Sequence, residues 1–400
     1  MKTFIVRSKY LERIKPFINK EIIKVFVGQR RTGKSYLMYQ VIDYIQKEDE
    51  SANIIYINKE LNEFNSITTY QHLYDYVTSK STKNRRNYLF IDEIQNIQSF
   101  ENALKSFNAE GNYDIYCTGS NANLLSGELA TLLSGRYIEF KVYPLSYKEF
   151  LIFHNLSDEK RSLNFYLKYG GLPYLKNLKL EDDIVFDYLT NIYQAILFKD
   201  IVARYKPRNI EFLERLTQFI AKQTGTIFSA RSIVKYLKSQ NINISVNSLL
   251  DYIRFLTSAF FISKANRTDI QGKKIFEVGE KYYFTDIGLR NTIAGYSPFD
   301  LGLIIENIVH NHLLYNGYKI NVGQSGNREV DFIAEKNNEK VYIQVALRIP
   351  DKKTSQREFG NLLEIKNNYP KYVITLDEYA GISYEGIKHI PLRDFLTGFE

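Results

Sequence analysis

Residues 28–35 read Gly-Gln-Arg-Arg-Thr-Gly-Lys-Ser, a spacing that suits the cradling of phosphate groups by a backbone loop. Gly28 and Gly33 permit a path in which the N–H groups of Gln29, Arg30, Arg31 and Thr32 turn inward toward anionic oxygens. Lys34 would reach the β- and γ-phosphates of a nucleoside triphosphate. Ser35 would offer its hydroxyl to Mg²⁺. The second chemical group is the acidic pair Asp92-Glu93, placed after the apolar run Tyr88-Leu-Phe-Ile. Asp92 would hold Mg²⁺, through water, while Glu93 would polarise the water that attacks the γ-phosphate. Those two acids turn a binding loop into a candidate hydrolase.

Elements of the right type flank both groups. An apolar run ends at Val27 and a helical stripe, Leu37, Met38, Val41, Ile42 and Ile45, begins just after Ser35. The loop is therefore expected between a strand and a helix N-terminus. Further strands are expected at 53–60, 87–92, 113–118 and 138–142, and a short helix at Lys9–Ile18. The acids then lie at the C-terminal end of a buried parallel strand, where ligands of open α/β sheets bind. The strand at 113–118 runs into Gly119-Ser120-Asn121. Ser120 and Asn121 are candidates to sense the γ-phosphate or the attacking water, with ordinary turn chemistry as the alternative. Arg136 reads as an arginine finger or as an exposed helix-end charge.

Taken together, Gly28 to Ser35, Leu89-Phe-Ile-Asp-Glu-Ile-Gln95, Thr118-Gly-Ser120, Leu133-Ser-Gly-Arg136, Pro144 to Phe150 and Tyr169-Gly-Gly-Leu-Pro173 resemble a prokaryotic AAA-superfamily ATPase related to the archaeal-type ATPases. That resemblance implies ATP as the nucleotide, Glu93 as the catalytic residue and an α/β fold. It also implies a P-loop NTPase parallel sheet, with an additional strand between the phosphate-loop strand and the acidic strand. Gly119 and Arg136 match family positions, and such an arginine commonly acts on a neighbouring subunit. The implied order is an ATPase core at 1–150, a helical lid at 151–209, a winged helix at 210–295 and a C-terminal region of unknown function at 296–400. Arg204 in the lid is a second phosphate sensor or a solvated charge.

Charge is unevenly spread. The net formal charge is +8, and residues 201–290 hold 15 Lys or Arg against 7 Asp or Glu, so the remainder is neutral. Such a regional excess is the footprint of a polyanion partner or of a solvated surface. Three helices and a hairpin over 210–290 give a winged-helix order. Were it to read duplex DNA, Asn247, Ser248, Arg254 and Thr257 would be presented to it, while Lys235, Lys238, Arg267, Lys273 and Lys274 would meet phosphates. Asp251 on the same helix opposes close approach, and winged helices also contact proteins.

The last hundred residues resemble a restriction-endonuclease-like fold, in which acids assemble around a metal. Glu306 and Asp331 match that pattern, but Gln344 and Ala346 stand where a metal-binding Glu and a Lys would be. Phosphodiester hydrolysis needs carboxylates and a cation that those two do not supply. The region is therefore expected to be a degenerate relative, with a metal-dependent nuclease as the rival reading. A single cysteine, Cys117, excludes an internal disulfide framework. No apolar run reaches membrane-spanning length, and the expected setting is cytoplasmic. The leading expectation is an Mg²⁺-dependent ATPase coupled to DNA or a DNA-associated partner, possible as a homo-oligomer. The alternative is a slow ATP switch that reads protein partners.

Overall fold

A computed structural model of the chain describes residues 4–83, 85–122, 133, 135–270, 279–325, 328–349, 351–378 and 383–399. It divides into two compact units, one of residues 1–143 with 258–260 and one of 144–257 with 261–400. Each is treated by itself below.

The first unit is built on five parallel strands, β1 (Ile23–Val27), β2 (Asn53–Asn58), β3 (Asn87–Asp92), β4 (Tyr113–Gly119) and β5 (Tyr137–Lys141). Their order is β2-β3-β4-β1-β5. Strand β4 thus separates the loop strand β1 from the acidic strand β3, as the resemblance implies. Strands β1, β3 and β4 are buried along their whole length, which is why they read as unbroken apolar runs rather than alternating ones. Helices α1 (Ser8–Ile14), α2 (Lys34–Glu48), α3 (Tyr70–Lys80) and α4 (Phe100–Glu110) accompany them. The expected helix at Lys9–Ile18 divides into α1 and a 3₁₀ turn at Lys15–Phe17 that carries Pro16 in its first turn. Proline lacks the N–H that would continue an α-helical ladder.

In the second unit come α5 (Tyr147–His154), α6 (Lys160–Tyr169) and α7 (Asp182–Ala195), the last running into a π-helical stretch at Ile196–Val202. Gly171 within the Tyr-Gly-Gly-Leu-Pro run donates its N–H to Asp286 Oδ2 at 2.8 Å. Asp286 also caps α11 (Ile287–Ala294) through the Leu289 N–H at 3.1 Å. A Cβ on Gly171 would lie 2.4 Å from the Leu145 carbonyl oxygen, so this motif is a packing junction.

Then α8 (Ile210–Lys222), β6 (Ile227–Phe228), α9 (Ala230–Ser239), α10 (Val246–Ser258), β7 (Ile262–Asp269) and β8 (Glu280–Phe284) follow. The hairpin does not end there. Strand β7 pairs in parallel with β9 (Lys319–Ser325), and β10 (Arg328–Lys336), β11 (Glu339–Val345), β12 (Lys371–Thr375) and β13 (Lys388–Pro391) extend the same sheet. Its order is β13-β12-β11-β10-β9-β7-β8-β6, so one sheet holds strands from both sides of residue 295. Helix α12 (Leu301–Tyr315) buries Ile304, Ile305, Ile308, Val309 and Leu313 in a core with Phe332, Ile343 and Ile374. Among the described residues no helix is long and apolar enough to cross a membrane.

Candidate active site

Strand β1 delivers the chain to Gly28, whose φ is +153°. A Cβ there would stand 2.2 Å from the Val142 carbonyl oxygen, because Val142 continues the β5 edge and donates its N–H to Val27 O at 2.7 Å. Gly28→Ala should therefore push the loop off the sheet edge and lower nucleotide affinity, as read by ATP titration of the purified variant. Arg31 and Gly33 have φ of +70° and +94°, and such alternation turns successive N–H groups toward one concavity. Gly33 is the N-cap of α2, so Lys34 and Ser35 occupy its first turn, where the partial positive end of the helix favours anions.

The loop's own oxygens hold Lys34. Its Nζ donates to the carbonyls of Gly28 at 2.9 Å and Gln29 at 3.0 Å. Thr32 Oγ1 donates to the Gln29 carbonyl at 2.9 Å. The Gln29 side chain is buried with neither amide atom hydrogen-bonded. An orphaned amide and a lysine resting on carbonyls suit a loop shaped for a polar ligand. Arg31 is exposed, and Arg30 pairs with Glu60 at 3.0 Å.

Strand β3 brings Asp92 to the same end of the sheet. The hydroxyls of Ser35 and Thr118 both donate to its carboxylate, and Tyr56 Oη lies 3.3 Å from Oδ2. Burial raises the Asp92 carboxyl above its ordinary range, with the Ser35 and Thr118 hydrogen bonds opposing. Hydroxyl and carboxylate oxygens are the donor set a hard divalent cation takes, so the pair Ser35 and Asp92 fits Mg²⁺.

Glu93 adopts a left-handed backbone, φ +57°, a costly conformation for a non-glycine residue. Its N–H donates to Thr118 Oγ1 at 2.9 Å. Thr118 thereby bridges both acids, accepting from the Glu93 backbone while donating to Asp92. The Glu93 carboxylate Oε2 accepts from Gln95 Nε2 and from Ser120 Oγ, the latter at 3.2 Å. Burial works against the charged form, yet Lys34, Gln95, Arg30 and Ser120 outweigh it and hold the Glu93 carboxyl below its ordinary range. Asn121 follows Ser120 and is also buried.

Arg136 lies elsewhere. It is exposed and sits just before β5, where its carbonyl accepts from Ile23 N–H at the start of β1. The loop follows the other end of β1, so the fold does not bring Arg136 to the loop of its own chain.

Several residues here escaped the sequence reading. Gln95 reaches Glu93 from two residues along the chain, whereas Thr118 contacts the acids only because β3 and β4 pair with Ile91 beside Cys117. Arg7 is buried, with NH1 donating to Thr32 O at 3.1 Å and Tyr143 O at 2.9 Å. Its guanidinium also lies 4.5 Å from the Tyr10 ring centre. Arg7→Met should cost about 1–3 kcal/mol, as expected for hydrogen bonds to a charged group, and should weaken ATP binding, both measured by thermal melts with and without nucleotide.

Of the candidate DNA contacts, Lys235 and Lys238 are exposed on α9, and Asn247 is exposed on α10. Ser248 is half-buried and shares a hydrogen bond with Ser245. Arg254 pairs with Asp251 at 2.9 Å. Arg267 is half-buried with Nε unpaired. Lys273 and Lys274 lie outside the described residues.

Glu306 of α12 and Asp331 of β10 do come together, and a register shift between Val330 and Ile333 lies at Asp331. Such bulges re-aim side chains. Burial, then the neighbouring Glu306, push the Asp331 carboxyl up to about 8, against the pull of Lys281. Gln344 is turned aside. Its Oε1 accepts from the Asp331 N–H at 3.4 Å and its Nε2 donates to Glu358 at 3.2 Å.

Residues 20–151 match the AAA domain family, and residues 160–300 match a domain of unknown function, DUF8612. An uncharacterized protein of Haemophilus influenzae is 37% identical over 401 residues, spanning 99% of both chains. One from Methanocaldococcus jannaschii is 31% identical over 369 residues, covering 86% of this chain and 79% of that one. Among solved structures, Aeropyrum pernix ORC1 in complex with DNA covers 74% of this chain and 93% of its own, at 11% identity and a TM-score of 0.32. AMPPCP-bound DnaA from Aquifex aeolicus covers 64% and 88%, at 16% identity and a TM-score of 0.32. Likenesses this loose transfer no ligand or partner.

Proposed function

We propose, from the premise that this chain belongs to the family of AAA-domain proteins that includes the Haemophilus influenzae and Methanocaldococcus jannaschii relatives, that it is an Mg²⁺-dependent ATPase. The observation that carries this reading is the convergence of Lys34, Ser35, Asp92, Glu93, Thr118 and Ser120 at one end of the parallel sheet. In the mechanism, Gly28 to Ser35 hold the phosphates through backbone N–H groups, and Lys34 exchanges two loop carbonyls for phosphate oxygens. Ser35 and Asp92 would hold Mg²⁺, which would supply positive charge against the phosphates. Glu93 orients the attacking water and takes its proton. Ser120 and Asn121 read the γ-phosphate, while Gln95 and Thr118 keep Glu93 aimed. Arg136, remote from its own loop, would act only on the site of a neighbouring copy.

The remaining assignments are a core at 1–150, a helical lid at 151–209, a winged helix at 210–295 and a degenerate nuclease-like region at 296–400, in a cytoplasmic protein. Coupling to DNA is supported by the basic excess of residues 201–290. A second reading, a switch that contacts proteins, is favoured by two features. Arg254 on the would-be reading helix is neutralised by Asp251. Helix α9 has no buried residue, although Ile233, Val234, Tyr236 and Leu237 share its length, and Tyr236 is 59% exposed.

The test is ATP turnover with and without duplex DNA at matched salt, beside Lys34→Ala. Stimulation that the variant lacks supports DNA coupling, and slow turnover indifferent to DNA supports the switch. Absence of any turnover overturns the ATPase reading. ATP at 100 times its Kd should stabilise the unaltered protein by about 2.7 kcal/mol, and Lys34→Ala should lose most of that gain in a thermal melt.

A further inference from the structure

The acids Glu306, Asp331 and Glu329 are gathered in the second unit as they would be around a divalent metal, but a cation of the protein itself lies among them. Lys281 comes from β8, and its Nζ is 2.8 Å from Glu329 Oε1, 3.0 Å from Glu306 Oε1 and 3.6 Å from Asp331 Oδ1. Lys281 is 4% exposed. An ammonium has three donors and no acceptor, so three carboxylates suit it. A hard divalent cation needs the same carboxylate oxygens at about 2.0–2.6 Å around a shared point, and here that point is already positively charged.

The surrounding contacts fit a lysine centre as well. Glu306 Oε1 also accepts from Tyr283 Oη at 2.8 Å, and Asp331 Oδ2 accepts from the Val345 N–H at 2.8 Å. Gln344, at the position where a nuclease would place a further ligand, serves the Asp331 backbone and Glu358 instead. The residues present therefore do not fit a metal.

We propose that Lys281 is the resident cation of this acidic centre, and that the centre fastens the hairpin of the helical region to the C-terminal strands in place of binding a hydrolytic metal. The contact joins β8 to β10 although β7 and β9 lie between them in strand order. Ala265, the β7 partner of Lys281, is small enough to leave that crossing open. With the parallel pairing of β7 and β9, the centre makes the helical region and the C-terminal strands one mechanical body.

Terbium is a suitable probe, because Tyr283 beside Glu306 would sensitise its luminescence. The experiment uses the full chain carrying Asp92→Asn, which removes the carboxylate beside Tyr56. With Lys281 in place, no saturable terbium signal that depends on Asp331 is expected. Lys281→Ala should lower the melting temperature and create a saturable signal. Adding Asp331→Asn should abolish that signal, and Ca²⁺ should restore part of the lost melting temperature. Should Lys281→Ala fail to fold, Lys281→Arg carries the comparison, with a folded protein and no terbium signal expected. An Asp331-dependent signal in the protein that retains Lys281 would overturn the proposal. So would a folded Lys281→Ala protein that neither loses stability nor gains a terbium site.

Discussion

Glu93→Gln should lower ATP turnover by about two to four orders of magnitude, the usual worth of a positioned general base, while ATP binding is retained. The substitution keeps the length and shape of the side chain and removes only its ability to accept a proton. Ser120 and Gln95 can still donate to the amide oxygen, so the left-handed backbone at residue 93 retains its support. Nucleotide-induced stabilisation should therefore persist where phosphate release is lost. Turnover within tenfold of the unaltered enzyme would remove Glu93 from the role of base. The pH profile gives a second readout. Glu93 is held below the ordinary carboxylate range against the opposing effect of burial, so its base form survives as pH falls until that lowered pKa is crossed. Gln95→Leu deletes one of the donors that hold it down. The acid limb of the rate profile should then move to higher pH, whereas damage to the fold alone would reduce the rate without moving the limb.

The loop and the acidic pair were legible because their chemistry is local. Gly28 to Ser35 is one turn between a strand and a helix, and Asp92-Glu93 ends an unbroken apolar strand, so spacing alone announces both. Thr118 was not legible in the same way. A threonine near the end of a strand acquires meaning only when β4 is inserted beside β3, a matter of topology rather than of neighbours in sequence. Arg7 is further removed, since its partners Thr32 and Tyr143 lie 25 and 136 residues away. The C-terminal region shows the same division. Glu306 and Asp331 could be picked out by type, but Lys281 belongs to the preceding hairpin and enters their cluster only because the hairpin joins the C-terminal strands in one sheet. That sheet also crosses the place where the helical and C-terminal regions part in the sequence reading. Local patterning marks where elements begin and end, while the partner each element chooses is set by packing.

The same strand that carries the phosphate loop holds one half of a buried ion pair whose breaking should harm stability most. Lys24 is the second residue of β1, and both it and Asp114 of β4 are fully buried. Lys24 Nζ donates to Asp114 and to the Lys20 carbonyl, the latter at 3.0 Å. Asp114 Oδ2 accepts from the Asn19 N–H at 2.7 Å and from Tyr116 Oη at 2.9 Å. With these bonds made, the pair is tolerated, but it is not a reservoir of stability. Asp114→Ala should cost about 3–5 kcal/mol, because it strands a buried ammonium without its partner. That is a large part of the ~5–15 kcal/mol by which a domain is stable. A double replacement, Lys24→Met with Asp114→Leu, should recover most of the loss. Burial lowers the Lys24 pKa, with Asp114 opposing, and removing Asp114 lowers it further. The folded single variant then prefers neutral lysine more strongly than the unfolded chain does. Its stability relative to the unaltered protein should therefore rise with pH from the variant's folded pKa up to the higher, though still lowered, folded pKa of Lys24 in the unaltered protein; above that both proteins gain in parallel until about 10.4, where an unfolded lysine titrates. Urea melts across that range would show the gap narrowing, and a deficit that stays constant with pH would mean that the buried ammonium is not its cause.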